Sequence, residues 1–140
     1  MKGADALALA ADVRARRVTA RETAQEAIER IRARDPALNC FTAVLAESAM
    51  RDAASVDGAL AAGRDPGPLA GVPFAVKNLF DIAGLTTLAG SKINAGHSPA
   101  AKDATVVARL RGAGAVLLTA GLLIEDFSVG DAETAPVFRP

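Results

Sequence analysis

Apolar residues recur at helical spacing through the first half of the chain and then gather into short unbroken runs. Residues 4–14 carry Leu7, Leu9 and Val13 among alanines and predict a short helix. Thr19-Ala-Arg-Glu22 is a capping box, in which the Thr hydroxyl meets the N3 amide while the Glu reaches back. Ala24, Ala27, Ile28 and Ile31 continue from it as one stripe, and Asp35-Pro36 is expected to end that helix. Residues 38–45 predict a strand. Residues 46–62 predict an Ala-rich helix that packs through Met50, Val56 and Leu60, and Arg64-Asp-Pro-Gly-Pro68 marks a loop.

The pattern then changes. Residues 72–76 form an apolar run that reads as a buried strand and leads directly into Lys77. Gly71 and Pro73 precede the lysine and Asn78 follows it, the punctuation of a strand entering an irregular loop. Farther on, Asp103 is placed to cap a helix with Val106, Val107 and Leu110 on its inner face. Gly112 and Gly114 end that helix, and residues 115–119 predict a second buried strand. Strand, long loop, helix, strand is a βαβ unit, with parallel strands and a right-handed crossover expected. The fold class is α/β: N-terminal helices followed by a βαβ unit. The final residues, 119–140, follow no clear pattern and are expected to be poorly ordered.

Composition narrows the function classes. At 140 residues with 51% hydrophobic and 23% charged positions, the chain is the size and character of one globular domain. Sixteen Lys plus Arg balance sixteen Asp plus Glu, so no electrostatic bias favours nucleic acid or an anionic membrane. Aromatics are 4%, with neither Trp nor Tyr to stack on bases. The single cysteine, Cys40, excludes an internal disulfide and fits a reducing compartment, so a cytoplasmic location is expected. Asp12 and Arg14 break the N-terminal Ala/Leu run, which makes a poor signal peptide.

Lys77 is the leading candidate for chemistry. An ammonium is costly to take out of water, so a lysine at the end of an apolar strand is either ion-paired or converted into a usable base. The structural alternative is a pair with a carboxylate such as Asp81. Asn78 and Asp81 are placed to orient the lysine or, more simply, to shape the loop. Ser91, in Ala-Gly-Ser-Lys, is expected to be a loop hydrogen-bonder. His97, the only histidine, sits in an exposed turn sequence, Gly-His-Ser-Pro. Cys40 reads as a small core hydrophobe. One Cys and one His with no clustered carboxylates do not make a metal site, and the glycines match no phosphate-binding loop. No metal or cofactor is therefore expected.

Gly71-Val-Pro-Phe-Ala-Val-Lys-Asn78, followed by Ala89-Gly-Ser-Lys92 and Asp103-Ala-Thr-Val-Val107, resembles the amidase signature family of C–N hydrolases. The likeness covers residues 5–118 and is specific over 69–117. Within the family, Val-Lys-Asn-Leu-Phe-Asp-Ile with Thr-Thr-Leu-Ala-Gly-Ser-Lys-Ile-Asn looks most like the 1-carboxybiuret hydrolases. A broader likeness to the A subunit of glutamyl-tRNA amidotransferase accompanies it. The resemblance implies a mixed-sheet amidase fold and a Ser–cis-Ser–Lys triad in which Lys77 is the catalytic lysine. The bridging serine would pass its proton to a neutral Lys77 amine while activating the nucleophilic serine.

Both family serines belong to a Gly/Ser-rich segment of the type Gly-Gly-Ser-Ser-Gly-Gly and the loop after it. This sequence has only Ser48, Ser55, Ser91, Ser98 and Ser128, none in such a turn. The expectation is an N-terminal portion of an amidase domain, an incomplete fold that is inactive alone. Completed, it would act on a small amide or urea-like substrate such as carboxybiuret. An exposed sheet would promote self-association or binding of a partner subunit. The alternatives are a non-enzymatic interaction module, or one half of a split amidase whose serines lie on a partner chain.

Overall fold

The computed structural model describes residues 5–121. Helix α1 spans Ala6–Arg14 and starts at Asp5, whose carboxylate accepts the Ala8 amide at 2.7 Å. Helix α2 spans Ala20–Leu38 and opens with the full capping box: Thr19 Oγ1 accepts the Glu22 amide and Glu22 Oε2 accepts the Thr19 amide. Strand β1 is the pair Ala43–Val44, and helix α3 spans Ala46–Ala61. Strand β2, Pro73–Val76, leads through a long loop and a 3₁₀ turn, Lys92–Gly96, to helix α4, Thr105–Gly112. Strand β3, Val116–Ala120, is the last described element.

The sheet order is β1-β3-β2, so the last strand in sequence is central. β2 runs parallel to β3, as the βαβ pattern predicts, while β1 is antiparallel with Ala43 opposite Ala120 and Val44 opposite Thr119. The parallel register slips once: Phe74 faces Leu117 but Ala75 faces Thr119, leaving Leu118 as a bulge. The architecture is mixed α/β, with helices on both faces of β3.

Two apolar clusters meet on β3. Val116 and Leu118 join Ala24, Ala27 and Ile28 of α2 and Ala49, Ala53 and Val56 of α3. Alanines dominate this interface, because short side chains let the two helices approach each other and the sheet closely. Leu117 and Ala120 join Val76, Ile82 and Val107 on the other side. Every residue of β3 is buried, as a parallel strand covered on both faces requires.

Several expectations from the sequence are corrected. α2 runs one turn past Asp35-Pro36, with Pro36 inside it. The Asp35 carboxylate accepts the Cys40 and Phe41 amides at 2.7 and 3.2 Å, and the left-handed Asn39 returns its amide to the Asp35 carbonyl at 2.6 Å. These bonds offset the crowding a proline imposes on the residue before it. The strand expected over 38–45 shrinks accordingly to Ala43–Val44. Asp103 does not cap α4, whose N-cap is Ala104 and which has no side-chain cap; the Asp103 carboxylate accepts the Ala83 amide at 2.8 Å instead. On α4 only Val107 is buried, and Val106 faces outward. β2 is not a fully buried strand: Ala75 is exposed, and no strand among the described residues covers its outer edge. The expectation of disorder over 119–140 falls, beyond Gly121, outside the described residues.

Candidate functional site

The carboxyl ends of β2 and β3 and the start of β1 converge at Lys77, where three consecutive carbonyls are all held. The Val76 carbonyl accepts the Gly121 amide at 3.0 Å, the Lys77 carbonyl the Phe80 amide at 3.1 Å, and the Asn78 carbonyl the Ala89 amide at 2.8 Å. The backbone that carries the lysine is thereby fixed on both sides of its Cα. In open α/β sheets, ligands bind outside the carboxyl ends of the strands, which is where this lysine stands.

Lys77 is half-buried. The apolar run before it predicts a largely buried lysine at the end of a central strand; among the described residues it follows an edge strand, since β3 holds the centre of their sheet. The burial of β3 on both faces leaves β2 to form the rim.

Asn78 shapes the loop. Its Nδ2 donates to Thr42 Oγ1 at 3.0 Å and its Oδ1 accepts the Leu88 amide at 3.2 Å. Thr42 in turn uses both its amide and its hydroxyl on the Ala120 carbonyl, each at 3.1 Å. One side chain thus joins the loop after β2, the chain entering β1 and the end of β3. Sequence reasoning misses Thr42 and Gly121 as members of this cluster. No local pattern links Thr42 to a residue thirty-six positions away.

Asp81 accepts the Thr87 hydroxyl, so its carboxylate closes the loop on itself. The Asp81 carbonyl accepts the Ala104 amide at 2.8 Å, and buried Ile82 anchors the segment in the second cluster. Ser91 takes the loop role expected of it: it begins the 3₁₀ turn and its Oγ accepts the Ile93 amide at 3.3 Å. Ser48 donates to the Leu45 carbonyl, while Ser55 and Ser98 are exposed and Ser128 lies outside the described residues. His97 is exposed, just past the 3₁₀ turn. Cys40 is not a core residue. It is half-buried, with its thiol towards the Leu38 carbonyl at 3.7 Å, because the extension of α2 carries it away from the sheet.

A shallow concavity lined by Asp81, Lys102, Asp103, Thr105 and Arg109 opens at the start of α4. It does not include Lys77. Arg111 lies behind it, with Nε 3.5 Å from Asp103 and a terminal nitrogen 4.0 Å from Asp52 of α3. This ion cluster braces α4 against α3 and the loop. Among the described residues, no three of His, Cys, Asp and Glu stand together in a way that would hold a metal ion. No described helix is long and apolar enough to cross a membrane.

The amidase family model matches residues 22–136. The chain is 50% identical over 114 residues to AtzE, a component of the 1-carboxybiuret hydrolase of Pseudomonas sp. (strain ADP), covering 81% of this chain and 25% of that protein. It is 43% identical over 135 residues to the A subunit of the glutamyl-tRNA(Gln) amidotransferase of Acidothermus cellulolyticus, covering 96% and 26%. Among solved structures, a chain of a vestigial protein complex that reveals the evolutionary origins of an s-triazine catabolic enzyme superposes with a TM-score of 0.82 at 46% identity, over 85% of this chain and 26% of that one. The peptide amidase of Stenotrophomonas maltophilia superposes with a TM-score of 0.78 at 33% identity, over 86% and 25%. The chain spans about a quarter of the length of these relatives.

Proposed function

We propose, on the premise that this chain belongs to the amidase signature family, that it carries the catalytic lysine, Lys77, of a C–N bond hydrolase. In this reading residues 1–140 are the N-terminal part of an amidase domain, with the family likeness over 5–118, and both triad serines come from outside these 140 residues. The Lys77 amine takes the proton of the bridging serine, which takes the proton of the nucleophile. The nucleophile attacks the substrate carbonyl carbon. The C–N bond then breaks, the amine leaves with a proton returned along the same relay, and water releases the acyl group. Small amides or urea-like compounds such as carboxybiuret are the substrate class, and a reducing cytoplasm is the setting.

The observation that carries this reading is the fixing of Lys77 at the carboxyl end of a parallel strand, with the carbonyls on both sides held. Without a nucleophile the 140 residues alone do not turn over substrate, since only residual stabilisation remains when a triad loses its attacking group. The likeness to a chain from a protein complex supports a partner subunit. Ammonia release from butyramide and from carboxybiuret by the native protein tests the proposal. Activity should vanish in Lys77→Ala, and activity that survives this change overturns it.

A further inference from the structure

We infer that Asn78 is a positioning residue, the clamp that holds the Lys77 amine in place. The inference rests on the role proposed for Lys77 and adds to it a residue that acts through the lysine.

Two separate parts of the chain depend on this one side chain and its peptide, through three bonds. Nδ2 binds Thr42 Oγ1 at 3.0 Å, Oδ1 binds the Leu88 amide at 3.2 Å and the main-chain carbonyl binds the Ala89 amide at 2.8 Å. An amide side chain suits this place because it offers a donor and an acceptor at once. A carboxylate would lose the donor to Thr42, and an aliphatic residue would lose both bonds.

The clamp also holds a strained backbone. Ala89 sits at φ 47°, in the left-handed region that L residues with a Cβ rarely enter, and Gly90 follows at 75°. Such a conformation is strained and persists only where its surroundings over-determine it. Here they do. Asn78 takes the amides of Leu88 and Ala89, while the Leu88 carbonyl accepts the Ser91 amide at 2.9 Å and Asn94 Nδ2 at 2.8 Å. The strained turn is therefore tied to the residue next to Lys77, and loss of the Asn78 side chain removes the Thr42 and Leu88 bonds while the main-chain bonds of Val76, Lys77 and Asn78 remain.

Competitive labelling of the native protein with acetic anhydride, read peptide by peptide by mass spectrometry, tests the clamp. Lys92 and Lys102 are exposed and serve as internal references. Lys77 should label several-fold more slowly than both. Asn78→Ala should bring Lys77 to their rate without changing theirs. Thr42→Val removes the Nδ2 partner together with the hydroxyl's bond to the Ala120 carbonyl, keeps the Thr42 amide bond to that carbonyl, and should give an intermediate rate, which also decides the matter if Asn78→Ala does not fold. On butyramide, Asn78→Ala should lower kcat on the order of tenfold to a hundredfold while KM holds, because a holding role acts on alignment more than on binding. Asn78→Asp keeps the Leu88 bond and should recover part of the loss. Unchanged labelling of Lys77 in Asn78→Ala, or in Thr42→Val where Asn78→Ala does not fold, overturns the clamp, whatever the activity. Full activity in Lys77→Ala, with labelling still dependent on Asn78, overturns the proposed function and leaves the clamp standing.

Discussion

The carboxylate of Asp57, in α3, accepts the amide of Ala20, the first residue of α2, at 2.7 Å and that of Arg21 at 3.2 Å. Thr19 takes the next amide, from Glu22, so the orphan donors of the first turn of α2 are shared between a local cap and a neighbouring helix. Asp57→Ala should cost roughly 1–2 kcal/mol, because it removes two charge-assisted bonds at the positive end of a helix dipole. Asp57→Asn keeps an acceptor and should cost less. Denaturant unfolding of both variants measures the difference.

Two glycines should respond to alanine with opposite sign. At Gly121 the backbone has φ +94°, and a Cβ would stand 2.1 Å from Thr42 Oγ1 and 2.6 Å from the Thr42 amide nitrogen. Gly121→Ala should therefore destabilise the fold by more than about 2 kcal/mol. Gly58, inside α3, has open space around it, so Gly58→Ala should stabilise by about 0.5–1 kcal/mol through helix propensity. Thermal unfolding of the pair tests both signs at once.

Glu22 carries a pH dependence. The Thr19 amide, and then the Thr19 hydroxyl, hold its carboxyl below the ordinary carboxylate value. A group depressed in the folded state stabilises fully above its ordinary value, and that contribution is lost as pH falls through the folded value. The stability difference between the native sequence and Glu22→Gln should therefore be present at neutral pH and shrink in acid below the carboxylate range. A constant difference across the titration would show that the capping box does not depend on the charge.

The exposed side of β2 should make the chain associate. Ala75 is exposed beside an uncovered strand edge, and Leu79 and Phe80 are exposed just past it. Unpaired edges and apolar surface together favour pairing with another chain. Light scattering on the isolated 140 residues at tens of micromolar should show species larger than a monomer. A monodisperse monomer that binds no hydrophobic dye would show a self-sufficient small domain.

What can be read from the chain is what local chemistry encodes. The Thr19–Glu22 box is written in two residues three apart, and α3 and β3 follow from the spacing of their apolar positions. The end of α2 escapes a sequence reading because a proline rule acts on one residue, while Asp35 binds amides five and six positions away. Lys77 can be located from its motif, but not its place at a rim, since strand order is a long-range property. The Asn78–Thr42 bond has no local sign at all.

The position of β3 has a consequence for how the chain is made. Among the described residues, β1 and β2 pair only with a strand that begins at Val116, so neither has that partner until the strand leaves the ribosome. At roughly 5–20 residues per second, the nascent chain spends seconds with two strands waiting. α2 and α3 are already complete by then, but the cluster they share still lacks Val116 and Leu118. A message cut short before Val116 yields no β3, and the Val76 carbonyl beside Lys77 then lacks the Gly121 amide.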